Sequence, residues 1–220
     1  MKIEYTLKEV RPNVFAVIVP NDYDRAMLFC RAQEFYESDS DLFKEQDFSI
    51  WEYMRWYSAK NKGVFTYTKD WSGFNIPFMK LVNCYVANHL DSPYDRVMEE
   101  IADKILAMEH VNLSNAYVIG TKSDKGQTFE HELCHALYYT NREYKILVYA
   151  VSGLYLSEDT YNKLSENLKE IGYNNDVIPD EIQAYMMTNY KSKYFSKGVD
   201  MDELTEAHNK FKEQLNKFLI

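Results

Sequence analysis

The sequence predicts an α+β fold, with strands at its start and a second half that is mostly helical. Three observations carry this reading. Residues 2–19 alternate polar and apolar side chains, with β-branched residues on both sides of Arg11-Pro12-Asn13, which is the pattern of a hairpin. Beyond residue 90, apolar residues recur at helical spacing behind Ser and Asp caps. A hydrophobic share of 46% and an aromatic share of 15% supply enough apolar surface to fill a packed core, so a disordered chain is excluded.

Taken in order, the hairpin pairs Ile3–Leu7 with Val14–Val19. Between residues 21 and 37, Met27, Leu28, Cys30 and Phe35 fall at helical spacing. Ser49-Ile50-Trp51-Glu52 forms a capping box, which opens a second helix through Tyr53, Met54 and Tyr57. At that spacing the aromatic run Trp51–Tyr57 reads as core, with a substrate groove as the alternative. Residues 63–77 mix strand formers with turn residues and read as a hairpin or an ordered loop. Ser92-Pro93 starts a helix to about Met108, since Ser satisfies free backbone N–H groups and Pro is tolerated at the first helical position. A strand at Ala116–Ile119 and a polar turn at Gly120–Gln127 lead into a helix at Thr128–Thr140. Further helices are expected at 143–155, 158–171, 179–191 and 201–219. No Gly/Ser/Pro-rich linker interrupts the 220 residues, so one domain is expected. Within it, residues 1–90 form a subregion for substrate or partner recognition and 91–220 form a metal-binding core.

A net charge of −9 repels phosphate backbones and argues against nucleic acid as a partner. The 3 cysteines cannot all pair and show no CxxC spacing, which favours a reducing compartment over a disulfide scaffold. The N-terminus has charges inside every apolar run and no small-residue cleavage pattern. No segment approaches the roughly 20 apolar residues of a membrane helix. A cytoplasmic protein that does not engage the membrane is the expectation.

Residues 131–135 read His-Glu-Leu-Cys-His. On a helix, the imidazoles of His131 and His135 project one turn apart from one face, close enough to hold one metal ion. Zinc suits neutral imidazole nitrogens, and a catalytic zinc keeps three protein ligands with a fourth position for water. Glu132, beside the first ligand, can take a proton from that water as general base. Phe129, Leu133, Ala136 and Leu137 cluster on one face of the helix, which leaves the two histidines off that core face. Cys134 reads as a small buried hydrophobe.

The segment TFEHELCHALYYTN, residues 128–141, resembles the active-site helix of zincin metallopeptidases. The metzincin extension is missing, because Tyr138 and Asn141 stand where that group has Gly and its third His. In gluzincin-like members the third ligand is a Glu on a later helix, and Ile178–Tyr185 is similar to such a helix. The resemblance therefore implies Glu181 as third ligand. The helical wheel agrees, placing Glu181 at the margin of the buried face and Asp180 on the opposite side, where it caps the helix or faces solvent. Glu158, Asp159 and His110 are the other ligand candidates, while His89, His110 and His208 read more simply as structural or surface groups. For stabilising a developing oxyanion, Tyr185 and Tyr139 are the positions to test. The implied activity is zinc-dependent hydrolysis of a peptide or amide bond in a peptide or protein substrate. The alternative is a zincin-like module without catalysis that recognises a protein partner.

Overall fold

The structure is a computed structural model describing residues 3–219, so residue 2, where the alternating stretch was expected to begin, lies outside it. The expected α+β class is observed, with four strands and ten α-helices among the described residues. The chain forms two compact units, Met1–Phe129 and Glu130–Ile220.

The first unit runs β1 (Thr6–Arg11), β2 (Val14–Ile18), α1 (Asp22–Glu37), α2 (Ile50–Lys60), α3 (Tyr67–Asp70), β3 (Phe74–Pro77), α4 (Phe78–Ala87), α5 (Pro93–Leu106) and β4 (Tyr117–Thr121). Its sheet has the order β1-β2-β4-β3, with β2 and β4 parallel and the outer strands antiparallel to their neighbours. The hairpin turns where expected, through Asn13 at φ 63°, a left-handed conformation that Asn tolerates. The first strand starts at Thr6 rather than Ile3. Residues Val14–Val17 are wholly buried, as for a strand covered on both faces. Helix α1 is buried continuously from Arg25 to Ala32. Its Phe29 lies so close to β4 that a Cβ on Gly120 would sit 2.4 Å from the ring.

The expected capping box of Ser49 with Glu52 is present on α2, and Ser92, expected as a simple cap of α5, forms a second box with Asp95. Residues 63–77 are neither of the two expected forms: a single helical turn, α3, precedes an edge strand, β3. Helix α4 lies outside every sequence expectation. It follows Pro77 without a side-chain cap and buries Phe78, Leu81 and Cys84 on one stripe. Asp95 Oδ1 also accepts from Arg31 Nε at 2.9 Å, and the buried Arg31 guanidinium further bonds Asp91, Asn88 and the Phe48 carbonyl, tying three segments to α1.

The second unit is helical: most of α6 (Gln127–Thr140), then α7 (Arg142–Tyr155), α8 (Glu158–Glu170), α9 (Ile178–Thr188) and α10 (Met201–Leu219). Helix α10 packs on α7 and α9, and α8 packs on α9. Helix α9 ends three residues before the expected Lys191, because Asn189 leaves helical geometry at φ −148°, ψ 46°. No described helix is long and apolar enough to cross a membrane.

Candidate metal centre

The second unit brings together the three sequence-predicted ligands. On α6, seven residues in a row from Glu132 to Tyr138 are buried, so the histidine face is enclosed rather than solvated. His135 is only 3% exposed. On α9, Glu181, Ile182, Gln183 and Ala184 are buried in succession, so this helix too is covered on more than one side. Ligand atoms of His131, His135 and Glu181 lie within 4.8 Å of one another.

The histidine tautomers follow from their partners. His131 Nδ1 lies 3.1 Å from Thr188 Oγ1, and that hydroxyl donates to the Ala184 carbonyl at 2.6 Å. The hydroxyl proton being used, Thr188 accepts from His131 Nδ1–H. His135 Nδ1 lies 2.9 Å from Asp180 Oδ1, which can only accept. Both Nε2 atoms therefore carry free lone pairs in the neutral rings, and both face one carboxylate: His131 Nε2 is 3.8 Å from Glu181 Oε2, and His135 Nε2 is 3.5 Å from Glu181 Oε1. These separations suit three ligands around an ion with bonds of about 2 Å. Glu181 Oε2 is buried without a hydrogen-bond partner, a costly state that a bound cation would relieve. The donor set therefore fits a zinc ion.

The electrostatics also describe a cation site. Burial disfavours the charged form of His135, yet the carboxylates of Asp180 and Glu181 hold its imidazole well above the usual histidine range. Burial pushes the Glu181 carboxyl up, and the facing His135 and His131 outweigh it to bring the carboxyl below its usual value.

Asp180 corrects the sequence reading. The wheel assumed a single buried stripe on α9 and sent Asp180 to the far side. With α9 enclosed more widely, Asp180 reaches His135 and also accepts from Gln183 Nε2 at 2.8 Å. It is placed to orient the His135 imidazole, as carboxylates do for metal-bound histidines.

Glu132 is buried, and its charge acts on His135, Tyr173 and Tyr185, which places it among the site residues without being one of the three converging ligands. Tyr185 packs edge-on against the His131 ring with centroids 5.2 Å apart and stacks on Phe195 at 4.8 Å. Tyr173, in the turn before α9, faces both the Glu181 carboxylate and the Tyr185 hydroxyl, and burial drives its phenol far above the normal range. Sequence reasoning missed Tyr173, since nothing distinguishes it among 19 tyrosines.

The remaining candidates lie elsewhere. Glu158 and Asp159 are exposed in the first turn of α8, and Tyr139 is 43% exposed. His110 pairs with Glu9 at 2.7 Å, His89 with Asp47 at 3.0 Å, and His208 bonds the Met186 carbonyl and stacks on Tyr190. Cys134 is fully buried, which pushes its thiol up to about 12. The run from Trp51 to Tyr57 contributes Tyr53, Trp56 and Tyr57 to an aromatic cluster in the first unit, with Trp51 outside it. No protein-family profile, curated protein or solved structure matches this chain.

Proposed function

We propose that this protein is a zinc-dependent hydrolase that cleaves a peptide or amide bond. The observation that carries the reading is the convergence of both histidine Nε2 atoms on a carboxylate whose Oε2 is buried and unpartnered, with Glu132 next to the first histidine. His131, His135 and Glu181 would hold the ion. Zinc bound there supplies Lewis acidity, which polarises a carbonyl and makes water acidic enough to deprotonate near neutral pH.

The chain's own residues supply the rest. Glu132 takes the proton of the attacking water and delivers it to the leaving nitrogen. Asp180 and Thr188 hold the two imidazoles in the ligand tautomer. Tyr173 and Tyr185 present phenols at the site that stay protonated at neutral pH, as burial requires of both, and a protonated phenol can donate to a developing oxyanion. A metal held only for structure would need the same three ligands but not an acid beside the first of them, which favours hydrolysis over the module without catalysis.

The test is turnover of a mixed peptide library by the zinc-loaded protein. Glu132→Gln is expected to lower the rate by about 100-fold to 10,000-fold while keeping the metal. Cleavage at an undiminished rate in that variant would remove Glu132 from the reaction.

A further inference from the structure

The first unit holds a cavity of about 790 Å³ that the hydrolase reading does not use. It opens at the C-terminal ends of the parallel strands β2 and β4, where each strand leads into a helix: β2 into α1, and β4 through residues 122–126 into the opening turn of α6. Crevices beyond the carboxyl ends of parallel strands are a common place for ligands, and its size is that of a small-molecule site.

Its charge is opposite to that of the chain. Arg25, Lys69, Lys122 and Lys125 line it, with Asp22 as the one acidic side chain in the wall, in a protein of net charge −9. Asp22 is already engaged by Arg25 at 2.9 Å and by Lys122 at 3.7 Å. Among the described residues no carboxylate lies within ion-pair distance of Lys69 or Lys125. Arg25 is 3% exposed, held by the Val19 carbonyl and Asp22, and its buried Nε–H has no acceptor. Like charges gathered around a concavity repel one another, and an anion that bridges them relieves this.

The wall also offers rings. Trp71 is 46% exposed and Tyr23 49% exposed, so neither ring is wholly covered by the protein. A planar heterocycle can stack on such a face while the lysines hold its anionic end. We infer that this cavity binds a small phosphorylated molecule carrying a planar ring, with Lys69, Lys122 and Lys125 on the phosphates and Trp71 against the ring.

The test uses adenosine diphosphate without magnesium as probe, titrated into the full chain by calorimetry at low salt, with inorganic pyrophosphate and adenosine as separate arms. Saturable binding of the diphosphate is expected. It should weaken by about tenfold or more in Lys69→Ala/Lys125→Ala, a variant whose melting temperature should match wild type because both side chains lack ion pairs. Trp71→Leu should weaken the nucleotide and leave pyrophosphate unaffected. Absence of saturable heat with millimolar nucleotide and pyrophosphate would overturn the proposal, as would unchanged affinity in the double variant. Equal binding of nucleotide and pyrophosphate with no effect of Trp71→Leu would overturn the ring-bearing class. None of these readouts depends on metal or on hydrolysis, so the two proposals fail separately.

Discussion

Asp180 and Thr188 occupy the Nδ1 atoms of His135 and His131, and this turns two imidazoles at i and i+4 into a site whose nitrogens share one target. Asp180→Ala should therefore weaken zinc by about 10-fold to 100-fold, measured by competition with a chromophoric chelator. Unchanged affinity would mean that packing alone orients His135. A second residue-scale prediction concerns Glu34, buried beside Tyr53, Ser38 and Tyr67. Burial raises its carboxyl to about 7, from a usual value near 4.5. The folded state thus binds a proton that the unfolded chain has released between these pH values. Its stabilising effect is complete below about pH 4.5 and lost as the pH rises through 7, a change of about 3 kcal/mol. Glu34→Gln should melt like wild type at pH 5 and at a higher temperature at pH 8, and equal melting at both would show that Glu34 is ionised throughout. In the candidate site, His131 and His135 were legible because chelation demands a fixed spacing, Glu132 because it sits inside that spacing, and Glu181 through the family resemblance. Asp180 and Tyr173 were not, because their roles depend on how many sides of α9 are covered and on where the preceding turn leads.

At the scale of elements, caps and β-branched alternation carried most of the legible information. The helices behind Ser49, Ser92 and Ser157 begin where their side chains bond backbone N–H groups. Helix α4 escaped notice because it follows Pro77 with no side-chain cap, and α3 because a single turn has no period to detect. Close approach between elements is likewise invisible in sequence. Gly120 reads there as the start of a polar turn, yet it is a buried β4 residue paired with β2 and β3, and the Phe29 ring fills the place of its Cβ. Gly120→Ala should cost about 1–3 kcal/mol of stability in a denaturant melt, since both the ring and the strand are held by packing. A neutral effect would show that α1 can move away from the sheet at little cost.

At the scale of the molecule, each proposed site belongs to one compact unit: the cationic cavity to Met1–Phe129, and the His131, His135 and Glu181 cluster to Glu130–Ile220. A ligand that binds only the folded state stabilises it by mass action, so chelation of the metal should lower the melting temperature. The loss of amide-exchange protection should concentrate in α6 and α9, and uniform loss over the whole chain would contradict a site confined to those helices. The most direct test of the central claim is the zinc content of the protein purified without added metal or chelator, compared among wild type, His135→Ala and Glu132→Gln. One zinc per chain in wild type and Glu132→Gln, with loss in His135→Ala, is the predicted result. A wild-type protein that takes up no zinc even on titration, or a His135→Ala variant that retains it, would contradict the account.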